Sequence, residues 1–330
     1  MESETPINWI RIFEDQKIYL YGLSHLFKKI ADKLVSEGNY KSYSDISKNL
    51  KINQRSFYYY IRGERPIDIN CFTNLISLAN NTIDFNFNYS KHYFKEVLVG
   101  GGSRKNLIKF PPTINNDLAY LVGYLFGDGC IKSNEWTINF CDEYFEQIDL
   151  INDLFFKLFK MKGVIMKTGD NRYELNIYSK VLAIFFNKLF QMPIGIKNKI
   201  RMPLILKTSR ELSVSFLRGF SDADGGLPRM EEYEVIPKWI LSSPNIEVAS
   251  KYKEILLDLK EVFINQDIMP NLYYHKNNNS FRLIVSGKGN IVKCKSFKMF
   301  NHPLKKKRLE SLIETFSPRW LSMVEHDLGI

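Results

Sequence analysis

The feature that most constrains this chain is a short motif that occurs twice. The stretch LVGYLFGDGC occupies residues 121–130, and FLRGFSDADGG occupies residues 216–226. When the two stretches are aligned on their last Asp-Gly pair, position 128 falls over position 224, an offset of 96 residues. This offset is the length of a small αβ unit, so the repetition predicts an internal duplication.

Each copy of the motif ends an apolar run that has helical character. Small residues recur four positions apart in both runs and so share one helix face, where a second helix can approach closely. We therefore expect the two helices to pack about a pseudo-two-fold axis, with Asp128 and Asp224 at the same end. The matched small residues are Gly123 and Gly127 in the first copy and Gly219 and Ala223 in the second.

Two carboxylates at that end predict a cation. The carboxyl end of a helix already carries partial negative charge, so paired acids there need compensation. Oxygen ligands with room for water and phosphate suit Mg²⁺, with Mn²⁺ as a substitute. We assign Asp128, Asp224, Gly127 and Ala223 to this metal site. For either Asp alone, a polar helix end before a Gly stop is the simpler interpretation.

The segments after the two motifs agree element by element. The first half continues with strand WTINF, a helix over about 143–159, strands GVIMK and YELNIYS, and helix KVLAIFFNKLF. The second half continues with strand KWILSS, a helix over about 245–262, strands NLYYH and SFRLIVS, and a helix near GNIVKCKSF. Each half is predicted to be αββαββα, which makes the fold class α+β, with the halves at 111–212 and 213–330.

The amino-terminal residues 1–80 predict a small all-α helix-turn-helix module. Ile46 and Leu50 are spaced for one helix, Asn53 is a plausible cap, and Phe57 lies on a second helix. That helix starts with Gln54 and Arg55, which we expect to contact DNA. A helical module with a merely structural turn is the alternative. Residues 81–110, rich in Asn and Gly, are the predicted linker.

Charge and composition favour a nucleic-acid partner. The chain has 46 Lys and Arg against 36 Asp and Glu, a formal charge of +10. No apolar run can cross a bilayer, and MESETPINWIRIFEDQK has neither the basic start nor the apolar core of a signal peptide, so we expect a cytoplasmic protein without a membrane partner. The four Cys residues form no CxxC pair, which argues against zinc sites and disulfides.

The paired motifs resemble those of the LAGLIDADG homing endonucleases, in the monomeric, two-motif form of intein-like, archaeal type. LVGYLFGDG and LRGFSDADG fall on the family motif over its full length, and the resemblance covers about 110–316. It implies a site-specific double-strand DNA endonuclease that hydrolyses phosphodiester bonds with Mg²⁺. It also implies a DNA-binding saddle made by two sheets, and a monomer that needs no protein partner.

The resemblance also implies the catalytic residues. The family places a metal-binding acid at the position of Asp128 and of Asp224. The segment GIKNKIRMPLIL resembles the family's lysine-and-proline block, which points to Lys199, and HPLKKKRLESLIE resembles its closing segment, which points to Lys307. Lys197 and Arg201 are rivals of the first lysine, and Arg308 is the rival of the second. Lys305 and Lys306 are expected to form a solvated basic face.

Strand alternation predicts which side chains face DNA. One face of each sheet packs on its helices, so the other face is free to enter the major groove. A one-residue slip would exchange the faces. The outward positions are Arg172, Glu174, Asn176 and Tyr178 in the first half and Tyr273, His275, Arg282 and Ile284 in the second.

Two other functions fit the same residues. A non-cleaving DNA-binding regulator would use the scaffold and the amino-terminal module, although retention of both acids argues against it. An RNA-binding helper of intron splicing is the second alternative. Self-splicing is disfavoured because inteins begin with Cys or Ser and end in His-Asn, whereas this chain begins MESETP and ends EHDLGI. We therefore expect a free-standing protein.

Overall fold

The computed structural model describes residues 5–7, 9–14, 16–38, 40–83, 85, 97–101, 106–133, 136–169, 171–229, 240 and 243–317. Its amino-terminal part mixes short strands with helices. The elements are β1 (Thr5–Pro6), α1 (Trp9–Ile12), β2 (Tyr19–Tyr21), α2 (Ser24–Ser36), α3 (Tyr43–Asn49), α4 (Gln54–Arg62), β3 (Ile67–Asp68), α5 (Ile69–Thr82), β4 (Leu98–Gly100), β5 (Ile108–Lys109) and β6 (Thr113–Ile114).

Helices α3 and α4 lie where the helix-turn-helix pattern predicted them. The side chain of Asn53 accepts hydrogen bonds from the main-chain N–H groups of Arg55 and Ser56, so it caps α4 as expected. Gly63 ends the helix in the left-handed conformation, which glycine adopts without strain. Phe57 is fully buried and packs against Phe27 of α2, with ring centroids 5.2 Å apart.

The amino-terminal module differs from the all-α expectation because it includes a sheet. Four strands pair in the order β3-β2-β4-β5, and two of them lie in the segment predicted as a linker. Pairing of Val99 with Leu20 and with Ile108 fixes β4 to the module. The strands are two or three residues long, too short for alternation to show in the sequence. The remainder of the predicted linker lies largely outside the described residues.

The first residues of the chain pack on the next part of the structure. Strand β1 pairs with β6, Thr5 opposite Ile114. Phe13 is buried against Phe110, whose ring lies 4.7 Å from that of Phe185. The amino-terminal module and the following domain therefore share one continuous core.

The two halves that follow repeat one order of elements. The first contains α6 (Asn116–Gly127), β7 (Gly129–Lys132), β8 (Thr137–Asp142), α7 (Phe145–Phe159), β9 (Val164–Lys167), β10 (Tyr173–Tyr178) and α8 (Lys180–Phe190). The second contains α9 (Arg210–Asp224), β11 (Gly225–Gly226), β12 (Asn245–Ser250), α10 (Lys253–Ile264), β13 (Asn271–His275), β14 (Ser280–Ser286) and α11 (Lys288–Ser296). Helix α12 (Pro303–Glu314) follows. The predicted αββαββα duplication and the α+β fold class are confirmed.

One boundary in the second half was predicted wrongly. The sequence predicted a helix over about 245–262, but residues 245–250 form strand β12 and the helix begins at Lys253. Ile246 and Val248 alternate into the core while β12 pairs with β11 on one side and β14 on the other. Sheet pairing therefore decides the conformation of this short segment. The predicted strand KWILSS lies mostly outside the described residues.

Both sheets are antiparallel and have the same strand order. The order is β7-β8-β10-β9 in the first half and β11-β12-β14-β13 in the second. Leu175 and Ile177 of β10, like Leu283 and Val285 of β14, are fully buried against the helices. The alternation predicted for these strands is confirmed, so each sheet presents its other face away from the helical core.

At Gly123 and Gly219, helices α6 and α9 lie too close together for a residue with a side chain. A Cβ atom placed on Gly123 would overlap the carbonyl oxygen of Phe216, and one placed on Gly219 would overlap the carbonyl oxygen of Tyr120. The contact is reciprocal, as a pseudo-two-fold axis between the helices requires. The predicted close approach of the two motif helices is therefore confirmed.

We predict that Gly219→Val lowers the free energy of unfolding by about 3 kcal/mol, because the side chain must push α6 and α9 apart. Urea unfolding followed by circular dichroism measures the loss. Gly289→Ala in α11 is the matched control, since a Cβ there would meet no atom within 4 Å. Equal stability of Gly219→Val and the wild type would disprove the close helix contact.

Candidate active site at the ends of the paired helices

Asp128 and Asp224 come together at the carboxyl ends of α6 and α9. Asp128 is the C-cap residue of α6, and Asp224 is the last residue of α9. A Cβ on Gly127 would lie 3.2 Å from the Asp224 carboxylate and would overlap the Cβ of Ala223. The small residues that precede the acids therefore let each carboxylate approach the opposite helix.

The proximity of the two acids disfavours their charged forms. Loss of hydration, together with the negative charge of Asp128, raises the pKa of Asp224 to about 7, although Lys197 and Lys305 oppose the shift. Solvent still reaches Asp128, but the surrounding protein atoms displace enough water to raise its pKa as well. Lys305 is the cation that acts most strongly on Asp128. Such mutually shifted acids are typical of functional sites.

Two lysines neutralise the helix ends. Lys197 Nζ donates to the carbonyl oxygen of Phe126 at 2.8 Å and to that of Gly127. Lys305 Nζ donates to the carbonyl oxygens of Ser221 at 3.2 Å and Ala223 at 2.9 Å, and to that of Asp222. Ammonium groups at the carboxyl ends of helices compensate their partial negative charge.

Burial shifts the pKa of both lysines downward. Burial lowers the pKa of Lys197, although Asp224 and then Asp128 favour its charged form. Burial also lowers the pKa of Lys305, against the opposing influence of Asp222 and Asp128. Each lysine thus lies close enough to the carboxylates to interact with them electrostatically.

The lysines at the site are not the two that the sequence selected. Lys199 is exposed in an irregular segment, with a φ of 49°, and Lys307 is exposed on α12. The structure does not bring either of them to the carboxylates. Lys197 had been named only as a rival, and Lys305 had been assigned to a solvated face.

Neighbouring contacts explain this difference. Arg201, the other rival in that segment, turns away and donates to Asp258 at 3.2 Å. In the second segment, Pro303 begins α12 at its first turn, so the helix fixes which of the consecutive basic residues points at α9. The His-Pro pair was the sequence feature that could have located this helix start.

A divalent cation fits the paired carboxylates. Both are oxygen donors, the pKa of each is raised chiefly because burial removes hydration from its charged form, and hard cations prefer such ligands. The carbonyl groups of Gly127 and Ala223, predicted as further ligands, accept hydrogen bonds from the two lysines. Within the described residues, no three His, Cys, Asp or Glu side chains gather as a metal site. Other ligands would come from water or a bound substrate.

A cleft of about 480 Å³ opens beside Asp128. Asp142 lies in its wall and accepts hydrogen bonds from Tyr124 Oη at 2.6 Å and from the main-chain N–H of Tyr144 at 2.8 Å. His302 Nε2 lies 3.5 Å from the same carboxylate. Burial alone would raise the pKa of Asp142, but hydrogen bonds from His302, Tyr124 and Tyr144 lower it below its ordinary value. Arg172, Lys305 and Arg308 also line the cleft.

The side chains predicted to face DNA lie on the sheet faces away from the helices. In the first half, Asn176 is only 2% exposed because Asn139 of β8 covers it and donates to its Oδ1 at 3.0 Å. In the second half, Arg282 is held by Glu247 at 3.1 Å. Strand pairing places Glu174 and Tyr178 on the first of these faces and Tyr273, His275 and Ile284 on the second, whereas Arg172 immediately precedes β10 and lines the cleft beside Asp128.

Helix α4 and the turn that follows it carry a basic cluster. Arg55 Nε donates to Tyr59 Oη at 2.6 Å, and its guanidinium lies 5.5 Å from the ring centroid. Arg62 and Arg65 lie 5.5 and 4.6 Å from the same ring. All three arginines are exposed, as is Gln54, so the helix presents positive charge to solvent.

Residues 211–297 match the family model of the LAGLIDADG-like domain. This range begins in α9 and ends just after α11, so it covers most of the second half. The first half repeats the same elements in the same order. The chain therefore carries a LAGLIDADG-like domain within a duplicated, two-motif fold.

Curated relatives match the chain over part of their length. A glutamine--fructose-6-phosphate aminotransferase [isomerizing] of Methanocaldococcus jannaschii is 29% identical over 212 residues, which is 63% of this chain and 18% of the relative. A tRNA-splicing ligase RtcB of Pyrococcus furiosus is 24% identical over a 197-residue alignment that covers 53% of this chain and 20% of the relative. The chain thus spans no more than about a fifth of either protein.

Solved structures show weaker likeness. The homing endonuclease I-DmoI in complex with DNA and Ca is 18% identical, with a TM-score of 0.43, over 59% of this chain and 97% of that one. Full-length DUF199/WhiA from Thermatoga maritima is 14% identical, with a TM-score of 0.42, over 64% of this chain and 66% of that one. Across the described residues, no helix is long and apolar enough to cross a membrane.

The raised pKa of Asp224 gives a pH-dependent prediction. An unfolded Asp ionises near pH ~3.9, whereas Asp224 ionises at about 7 in the folded protein. The contribution of Asp224 to the stability of the metal-free protein should therefore fall as pH rises from about 4 to about 7, and no further above that. Asp224→Asn removes this loss, so its gain in Tm over the wild type should grow across that range and then level off.

Thermal unfolding in EDTA across pH measures this gain. Asp153→Asn, at a half-exposed ion pair with Lys162, is the control and should give no comparable trend. Mg²⁺ should raise the Tm of the wild type at pH 8 more than that of Asp224→Asn, because the variant lacks one oxygen ligand. A gain that does not change with pH would contradict the assignment.

Proposed function

We propose that the protein is an Mg²⁺-dependent endonuclease that cuts both strands of duplex DNA, acting as a monomer. The observation that carries this proposal is the meeting of Asp128 and Asp224 at the ends of two motif helices, each with a lysine beside it. One carboxylate–lysine centre would serve each strand. The LAGLIDADG-like domain over residues 211–297 supports this function.

The activities named for the curated relatives do not indicate the function of this chain. An aminotransferase and a tRNA-splicing ligase share no reaction, yet each matches about the same length of this chain. Each match also covers only a small part of the relative. What the matched segments share is therefore neither of those two activities. Any segment of that length in this chain must include part of the duplicated fold.

The residues of the site divide the chemistry among them. Asp128 and Asp224 would hold the divalent cation, which supplies a more acidic bound water and charge for the leaving oxygen. Lys197 and Lys305 lie beside the carboxylates, and their positive charges would stabilise the negative charge that develops on the scissile phosphates. Because both ammonium groups are already fixed at the helix ends, little reorganisation is needed as negative charge develops.

The two sheets provide the surface that would position DNA. Their outward faces lie on either side of the paired helix ends and carry polar and aromatic side chains, including Glu174, Tyr178, Tyr273 and Arg282. Side chains of this kind read base edges in the major groove. The formal charge of +10 favours contacts with phosphates along the duplex. The arginine cluster on α4 would add a second DNA contact outside the cleavage site.

The direct test is incubation of the purified protein with Mg²⁺ and a library of random DNA duplexes, followed by sequencing of the ends. The proposal expects ends at one recurring sequence, with both strands cut. Enrichment of a bound sequence without new ends would favour a non-cleaving regulator. Binding confined to structured RNA would favour the splicing helper. Either result would overturn the proposed cleavage.

We predict that Asp128→Asn and Asp224→Asn each abolish double-strand cleavage while DNA binding in Ca²⁺ persists, because each change removes a metal ligand and no phosphate contact. Gel-shift and cleavage assays on the selected duplex separate the two properties. Full cleavage by either variant would rule out a shared two-carboxylate site.

We further predict that Lys197→Met and Lys305→Met slow single-turnover cleavage about a hundredfold or more, since each removes a charge-stabilising donor. Lys199→Met and Lys307→Met are matched controls, because these exposed lysines are two residues from the site lysines in sequence. At saturating protein, their cleavage rates should equal that of the wild type. Slow cleavage by Lys199→Met and Lys307→Met, with wild-type rates for Lys197→Met and Lys305→Met, would instead assign the catalytic role to Lys199 and Lys307.

For the amino-terminal module, we predict that Arg55→Ala weakens DNA binding and reduces the salt slope of the affinity by about one unit. Its cleavage rate at saturating protein should not change, because α4 lies outside the acid–lysine site. Lys188→Ala on α8, behind the first sheet, is the control and should leave the slope unchanged. If the two variants have the same slope, α4 does not contact DNA.

A further inference from the structure

Each of the two site lysines belongs to a segment that follows one half of the duplicated fold. We call residues 192–203 the first arm and residues 299–307 the second arm. The first arm delivers Lys197 to the end of α6, and the second arm delivers Lys305 to the end of α9. Both arms also reach across to the opposite half, and these crossing contacts determine where each lysine lies.

The first arm rests on the second half. Tyr252 Oη donates to the carbonyl oxygen of Lys197 itself. The main-chain N–H of Met202 donates to Asp258 Oδ2 at 2.9 Å, and Asp258 is 1% exposed. Because these contacts hold the main chain at Lys197 and at Met202, they fix Lys197 without touching its ammonium group.

The second arm rests on the first half through one side chain. His302 is 2% exposed, with Nε2 3.5 Å from Asp142 Oδ1 and its ring edge-on to Tyr144, centroids 5.1 Å apart. His302 Nδ1 also accepts from the main-chain N–H of Leu304 at 3.2 Å, so the same ring caps α12. Lys305 lies in the first turn of that helix. Fixing the imidazole therefore fixes the origin of the lysine side chain.

The two docking sites occupy equivalent positions in the two halves. Tyr144 precedes α7 and Tyr252 precedes α10, each as the N-cap residue. In both cases the tyrosine N–H donates to the side chain two residues earlier, which is Asp142 at 2.8 Å and Ser250 at 3.1 Å. Asp142 and Ser250 are therefore counterparts that differ in charge.

A second difference lies in the arms themselves. The residue three positions before the lysine is His302 in the second arm and Ile194 in the first. Ile194 forms a single main-chain bridge with Ile131 and has no polar side chain to offer. A carboxylate–imidazole contact thus exists at one docking site, whereas the other relies on a tyrosine hydroxyl and main-chain groups.

We propose that Asp142 and His302 are positioning residues for Lys305 and not for Lys197. The Lys305 centre and the Lys197 centre can then be slowed independently, and each controls one DNA strand. This inference rests on the proposed nuclease function. Neither residue needs to touch the scissile phosphate; their effect passes through the start of α12. Outer residues that orient an active-site group typically change activity by about 10- to 100-fold.

Strand-resolved cleavage tests the proposal. A duplex recovered from the library selection is labelled differently on each strand and cut under single-turnover conditions. His302→Ala and Asp142→Ser should each slow the same strand about tenfold or more and accumulate DNA nicked in the other strand. Tyr252→Phe, the matched change in the opposite half, should slow the other strand. The double variant Asp142→Ser/His302→Ala should be no slower than the slower single variant.

Equal slowing of both strands by His302→Ala would overturn the proposal while leaving the nuclease function intact. A wild-type protein that makes no ends would instead refute the nuclease function. In that case hydrogen exchange still tests the docking: His302→Ala should raise exchange in residues 299–307 and not in 192–203, and Tyr252→Phe should do the reverse. Increased exchange throughout both halves would show a general structural role and would also overturn the positioning assignment.

Discussion

The close contact between α6 and α9 is the interaction on which the rest of the structure depends. Gly123 and Gly219 let each helix rest on a backbone carbonyl of the other, so the two helix axes approach as closely as backbone atoms permit. The contact leaves the carboxyl ends of both helices side by side. It therefore fixes the separation of Asp128 and Asp224 and the position of the sheets that extend on either side.

The contact brings negative charges close together, and two lysines of the site offset part of the resulting repulsion. Two helix ends and two carboxylates concentrate negative charge where water is scarce, which raises the pKa of both acids. Lys197 and Lys305 offset part of that charge through the terminal carbonyl groups. An arrangement of this kind contributes little to stability, and its value lies in binding a cation and a phosphate.

The second motif differs from the first by an additional buried acid. Asp222, where the first motif has Phe126, accepts from Tyr120 Oη at 2.8 Å and from the main-chain N–H of Asn301. Loss of hydration raises its pKa to about 6 despite these hydrogen bonds. Asp222 thus joins the first motif helix to the beginning of the second arm. Although the two halves of the fold are nearly symmetric, the segments that carry Lys197 and Lys305 are therefore held by different contacts.

Local patterns in the chain were sufficient to predict the larger elements. Hydrophobic spacing and the repeated Gly-Asp pattern predicted the duplication and the two acids, and alternation predicted the buried faces of β10 and β14. Asn53 predicted the start of α4 because a side-chain cap is a local interaction. The predicted start of the helix at residue 245 was wrong, because the short pattern of residues 245–250 fits a strand as well. Pairing with β14 decided that this segment is a strand.

The amino-acid sequence by itself determined the acids, the helix contact that joins them and the order of the elements, because these depend on residues near one another in the chain or on a repeated motif. Only the tertiary structure decided which lysines reach the acids. Lys197 and Lys199 are chemically alike and two residues apart in an irregular segment. Tyr252 and Asp258, more than fifty residues away, fix that segment and so select Lys197. Asp142 and His302 meet across the two halves in the same way, at a contact no local pattern encodes.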